Sequence, residues 1–375
     1  MSTPPTPRDL PYGPGPVSYL IQMPEKKPSP LFALLRRGLL VVLFLLVMFN
    51  VWLFFLLAAS LTDGSLQEKH YSGSESAREK VAVVRIDGVL MEGMIDYASR
   101  QIRTAAEDDD VKAVVLLINS PGGTVTASDR LHTQIMDLKD GKWPRQKAGK
   151  PIVVQMTSIA ASGGYYIAAP AQTIFAEPTT VTGSIGVYAN FFNVHKLAEK
   201  HGVEFKMFSR GELKGGGSPF HPMTSEQEHE WSELIEHSYQ QFQKIVADGR
   251  GPRLKYKLRE EITLTDSKGK PYVRRIADGG VFTAEQALKF GLVDKIGRLR
   301  DAIASAENLA GLQNARVITY ARPVTLSEAL LGIQAPPPPA AVHLDHLPGL
   351  TRQLWFLTPG YELSGVKLPL GEVMK

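Results

Sequence analysis

From Gly38 to Ser60 the chain carries no charged residue over 23 consecutive positions, and Leu, Val and Phe dominate them. At ~1.5 Å rise per residue such a helix is roughly 34 Å long, enough to cross a hydrocarbon layer of ~30 Å. A segment of this kind places the residues before it and the residues after it on opposite sides of a bilayer. Lys26, Lys27, Arg36 and Arg37 come before the segment, whereas Asp63, Glu68 and Lys69 come after it without a basic excess. That flank predicts a cytoplasmic N-terminus and an extracytoplasmic remainder, hence a single-pass cell-membrane protein. Ala58-Ala59-Ser60 would also suit removal of a leader. The apolar run exceeds the ~7–15 residues usual for a cleaved leader, so an uncleaved anchor is expected over 38–60.

The rest of the chain divides by composition. Residues 1–37 are a Pro-rich cytoplasmic tail, and 61–79, polar with Gly and Ser, read as a tether. Residues 80–310 carry the patterns of a folded domain. Residues 311–375 read as a C-terminal extension with a polyproline spacer at Ala335 to Ala340 and apolar patches of no clear period. Apolar residues make up 43% and charged residues 21%, which suits a folded core. A net charge of +4, with no basic face interleaved with aromatics, gives no reason to expect nucleic acid. The absence of cysteine excludes disulfides, thiolate catalysis and cysteine-based metal sites.

Within the domain, apolar runs of strand length alternate with helical periodicity. Val81 to Ile86, Val111 to Asn119 and Ile152 to Met156 read as buried strands, with helical patterns through Tyr97, Ile102 and Ala105 and through Leu131, Ile135 and Leu138. This alternation predicts an α/β fold around a parallel sheet. Further on, Asn193 to His201 reads as a helix closed by Gly202, and Glu204 to Phe208 as a strand. Ser225 to Val246 reads as a long helix burying Trp231, Leu234, Ile235, Phe242 and Ile245, and Thr283 to Phe290 as a short helix closed by Gly291.

Two of the strands end in glycine-rich turns, Ser120-Pro121-Gly122-Gly123 and Ala161-Ser162-Gly163-Gly164, which should share one sheet edge. Ser162 would then stand at a strand end and a helix start, where a nucleophile is well placed, and the Gly122, Gly123 and Gly163 amides could serve one oxyanion. Tight turns after buried strands have the same composition, so neither turn decides the matter alone. A serine nucleophile also needs a base. His195, His201, His229 and His237 fall among charged neighbours and read as solvated faces. The i, i+4, i+8 set His229, Glu233 and His237 lacks a further ligand, so neither a metal site nor a cofactor is expected. A neutral lysine is the other route, and Lys214 lies among small residues in Arg210 to Pro219. Lysine, with an ordinary pKa near ~10.4, becomes a base only if buried beside uncharged partners.

With these signposts in order, the chain resembles the signal peptide peptidase A family in its short form. The signposts are Ile118 to Gly123, Ala160 to Tyr166, Thr182 to Val187, Gly211 to Pro219 and Ile276 to Gly279. The resemblance runs from about Val81 to Gly297. It implies a Clp protease/crotonase-like α/β fold of repeated β-β-α units after one transmembrane helix, and a membrane-anchored Ser–Lys endopeptidase for residual signal peptides or other apolar peptides. It further implies Ser162 as nucleophile, Lys214 as general base, Ser184 as the lysine's hydrogen-bond partner, and Gly122, Gly123 and Gly163 as the oxyanion hole. Peptides would bind as an added strand, and copies of the chain would form a ring that shares site elements between neighbours. Two departures stand out: Asp278-Gly279-Gly280-Val281 has Gly where the family commonly has Arg, and Arg253 to Arg275 reads as an insertion.

A non-catalytic, membrane-anchored peptide-binding scaffold of the same fold is the alternative, and acyl-CoA chemistry on that fold is disfavoured by the spanning segment. The apolar tail ending near Leu363 to Leu370 could enter a neighbour's groove and be trimmed there.

Overall fold

The computed structural model describes residues 30–61, 66–322 and 355–357. Helix α1 (Pro30–Leu61) extends beyond the expected 38–60. Its stretch Leu34–Phe55, with mean hydropathy 2.7, is long and apolar enough to cross a membrane. It forms a unit of its own, and the elements from residue 63 onward form a second.

The second unit is built on a nine-stranded sheet. Its main path runs β1 (Gln67–Gly73), β12 (Arg316–Ala321), β2 (Lys80–Asp87), β3 (Val111–Ser120), β5 (Ile152–Ala161), β6 (Thr173–Ala176) and β11 (Lys295–Ile296). All neighbours on this path are parallel except β1, which pairs antiparallel with β12. The fold is thus the expected α/β class, with mixed rather than purely parallel pairing. On its edge away from β3, strand β5 serves two partners: Val153 to Met156 pair with β6, and Ile159 to Ala161 pair with β7 (Val181–Gly183), which in turn takes β10 (Val281–Thr283) antiparallel. The sheet therefore forks at the carboxyl end of β5.

Side-chain alternation explains the two-sided core. Along β2, Val81 and Val83 face one side with Ala113 and Val115 of β3, against Ala302, Ile303 and Ala306 of α8 (Leu299–Ala310). Ala82, Val84 and Ile86 face the other side. There they meet α2 (Asp96–Glu107) and the wider cluster that includes α3 (Val125–Asp140), α4 (Gly163–Ala168), α6 (Ser225–Arg250) and α7 (Ala284–Phe290). Each fully buried Val, Leu or Ile of this kind is worth about 1.5–3 kcal/mol.

Several expectations need correction. Part of the tether expected over 61–79 is a strand: β1 is polar and largely exposed, and it is held by backbone pairing to β12 rather than by an apolar face. The domain boundary at 310 falls short of β12, which lies between β1 and β2. The strand expected at Glu204 to Phe208 has no ladder; Phe205 instead stacks on Phe220 at 4.8 Å, and Phe208 is 95% exposed. The helix expected from Asn193 shortens to α5 (His195–Lys200). On α6, Phe242 is buried and Trp231, Ile235 and Ile245 are half-buried, but Leu234 is exposed. The charged 253–275 stretch forms its own hairpin, β8 (Glu261–Thr265) with β9 (Pro271–Arg275).

Candidate active site

Strands β3 and β5 are neighbours, with Ser120 opposite Ala160, so their two glycine turns do share one edge of the sheet. Close approach explains the glycines. A Cβ on Gly164 would lie 2.6 Å from the Ser120 carbonyl oxygen, and one on Gly123 would lie 1.8 Å from that of Leu90. Nothing larger fits either place.

Ser162 stands between β5 and α4 at φ 52° and ψ −118°, a rare conformation for a residue with a side chain. It is 1% exposed, and its amide donates to the Gly183 carbonyl at 2.8 Å. Its own carbonyl accepts from the Tyr165 and Tyr166 amides, which leaves the Gly163 and Gly164 amides at the helix start free of backbone partners among the described residues. Helix α4 is fixed by its tyrosines: Tyr165 Oη donates to the Leu292 carbonyl at 2.8 Å, and Tyr166 Oη donates to Asp129 Oδ1 at 2.7 Å. Gln241 Nε2 of α6 donates to that same Asp129 oxygen at 2.9 Å. Burial and the Asp129 bond both raise the Tyr166 phenol well above its usual range, so it stays a neutral donor.

The three oxyanion candidates differ in what occupies their amides. That of Gly122 donates to Ser120 Oγ at 3.1 Å within the turn. Gly122 and Thr124 on β4 (Gly122–Thr124) both bond to Leu90, so the alternation of a strand turns Gly123 toward the opposite edge. That edge carries β13 (Trp355–Leu357), antiparallel, with Phe356 opposite Gly123. The amide of Gly163 opens helix α4 beside Ser162.

Ser184 follows β7 at φ 52°, and it is one residue beyond the Gly183 carbonyl that holds Ser162. Its amide donates to the Gly280 carbonyl at 2.9 Å and its Oγ to the Gly279 carbonyl at 3.1 Å. The two serines therefore share one backbone junction. Lys214 is not brought to them. It sits exposed in a turn where its amide donates to the Gly211 carbonyl at 3.1 Å, and among the described residues no hydrogen bond joins it to Ser162 or Ser184. A cavity of about 730 Å³ opens beside Ser184, lined by Gly186, Val187, Tyr188, Tyr239 and Ala277 among others. His229, Glu233 and His237 are exposed on α6.

One contributor is invisible in the sequence pattern. Arg274 on β9 binds both oxygens of Asp278, at 2.8 and 2.7 Å. Burial works to raise the Asp278 carboxyl, but bonds from Arg274 and from the Gly280 amide, with the Arg274 charge, hold it below the ordinary carboxylate range.

Peptidase family S49 matches residues 144–260 and 264–313 of this chain. A protein of Enterococcus faecium named "Putative signal peptide peptidase SppA" is 32% identical over 261 residues, covering 67% of this chain and 69% of that protein. The chain belongs to peptidase family S49. Protease 4 of Haemophilus influenzae is 35% identical over 61% of this S49 chain, which spans only 35% of that longer protein. The chloroplastic serine protease SPPA of Arabidopsis thaliana is 31% identical over 70% of this chain and 37% of its own length. The chain is thus a protease of S49 type with the expected α/β architecture, and it carries one helix fit for a single-pass anchor.

Proposed function

We propose that this S49 peptidase is a membrane-tethered serine endopeptidase that cuts apolar peptides, residual signal peptides among them, with Ser162 as nucleophile and Lys214 as general base. The observation that carries the reading is the setting of Ser162: buried, held at positive φ between strand and helix, with free helix amides next to it. In this reading the Lys214 amine takes the Ser162 Oγ proton as Oγ attacks the scissile carbonyl, and the Gly163 and Gly123 amides receive the oxygen that becomes negative. The tetrahedral adduct then collapses to an acyl-enzyme while the ammonium returns its proton to the leaving amine. Lys214 next deprotonates the water that releases the acyl group.

Ser184 suits the part of lysine partner. Its hydroxyl hydrogen is committed to the Gly279 carbonyl, which leaves its lone pairs to accept from an amine. The exposure of Lys214 favours a dyad completed between two copies of the chain. One copy's lysine would then be buried beside the other's serines, and the cavity beside Ser184 leaves room for it. A homo-oligomeric ring, with the S49 domain outside the membrane, is the assembly this reading requires.

The test is cleavage of an apolar peptidyl reporter by the purified full chain, together with labelling by a serine-reactive phosphonate. The wild type should cleave and label, Ser162→Ala should do neither, and Lys214→Ala should lose cleavage. A wild type that binds peptide but is never labelled at Ser162 would instead establish a non-catalytic scaffold.

A further inference from the structure

The charged stretch 253–275 folds back onto the serine junction. Hairpin β8–β9 delivers Arg274, whose Nη1 also donates to the Val281 carbonyl at 3.0 Å and whose guanidinium lies 4.4 Å from the centre of the Phe282 ring. A Cβ on Gly280 would fall 2.0 Å from Arg274 Nη2. Gly280 is not among the glycines with positive φ, so its backbone would tolerate a side chain. What glycine provides there is space for the guanidinium.

The corner that Arg274 clamps is the one that touches the serines. Asp278 accepts from the Gly280 amide at 2.9 Å; the Gly279 and Gly280 carbonyls accept from Ser184; the Gly279 amide donates to the Ile185 carbonyl at 3.2 Å. Phe282 lies under Gly183, where an added Cβ would meet its ring at 2.7 Å, and the Gly183 carbonyl holds the Ser162 amide. Contact thus runs from Arg274 through 278–283 to both serines without a gap.

We infer that Arg274 is a positioning residue of the serine site: reaching in from the hairpin, it holds the Asp278–Gly280 corner against Ser184 and takes up the space that a side chain on Gly280 would need. The inference rests on the peptidase reading of Ser162 and adds a residue to it. Arg274 touches neither serine and takes no part in proton transfer. Its loss should therefore slow turnover without weakening peptide binding.

The test is a swap in the full-length chain, read by kcat and KM separately on the apolar reporter. Arg274→Thr should lower kcat at least ten-fold with KM within about two-fold, and Arg274→Thr combined with Gly280→Arg should recover most of that loss. If Arg274→Thr fails to fold, Gly280→Ala pushes the same guanidinium aside and carries the same expectation. An unchanged kcat in a folded single variant, or a double variant no better than the single, overturns the inference. A wild type that neither cleaves nor labels would overturn the peptidase reading itself, so the two failures are told apart.

Discussion

At Ser162 the backbone already does what a nucleophile needs. A residue at φ 52° between strand and helix is costly, on the order of 1–3 kcal/mol, and it holds because the Gly183 carbonyl and the tyrosines of α4 fix both sides. Two substitutions probe this scale. Lys214→Arg should be as inactive on the reporter as Lys214→Ala, about 10³-fold or more below wild type, because a guanidinium does not give up its proton. Gly123→Ala forces a carbon to within 1.8 Å of a backbone oxygen, so β4 must shift. That change should cost about 1–3 kcal/mol of stability in a melt and most of the peptidase activity. The glycines were legible from sequence because close backbone approach leaves a local trace: small residues at the ends of apolar runs. The exposure of Lys214 was not, because small neighbours in the chain suit an open turn and a buried loop alike. The Arg274–Asp278 clamp was hidden for a related reason, since it exists only once a hairpin has folded back.

Among the elements, the long apolar strands of the sheet's middle were readable, whereas β12 was missed although Val317, Ile318 and Tyr320 are buried. β2, β3 and β5 announce themselves through Val, Ile and Leu, whereas β1 has only backbone pairing to define it. The run at 204–208 has the composition of a strand and finds no ladder. The α3–α4 contact gives a pH prediction. His132 lies edge-on to Tyr166 with ring centroids 5.2 Å apart, and burial, helped by Lys139 and opposed by Asp129, holds its pKa below the ordinary 6.5. Between that lowered value and 6.5 the unfolded chain binds more protons than the folded one, so stability rises with pH across the window. Acidification should therefore lower the melting temperature as pH falls from 6.5 through the folded-state pKa, and His132→Phe should flatten that fall. The pairing of β13 with β4 gives another. Trp355 lies opposite Thr124 in this antiparallel register, and directly opposed residues of such strands stand ~4.5–5.5 Å apart between Cα atoms, a spacing that suits a disulfide. Because the chain has no cysteine of its own, Trp355→Cys with Thr124→Cys should cross-link within one chain on oxidation. Non-reducing gels should show a monomer, and adding an apolar peptide that competes for β4 should slow the reaction. A cross-linked dimer would instead mean that the tail of one copy sits in the groove of another.

For the whole molecule, the separation of Lys214 from the serines makes assembly part of the proposed chemistry. Ser162→Ala and Lys214→Ala proteins, each inactive alone, should regain measurable cleavage when mixed under conditions that exchange subunits. A dyad formed within one chain predicts no recovery, so the reporter assay decides between the two.

The sheet order carries a consequence for how such a chain is made. Gln67 pairs with Ala321, and β12 is the strand that joins β1 to β2. A ribosome has thus completed nearly the whole domain before its first strand has anything to pair with. During synthesis the segment after α1 is an unclaimed, polar edge, while β2, β3 and β5 can already assemble beside it. Pulse-labelled nascent chains should stay open to protease near residues 67–73 until β12 emerges, and then close in a single late step.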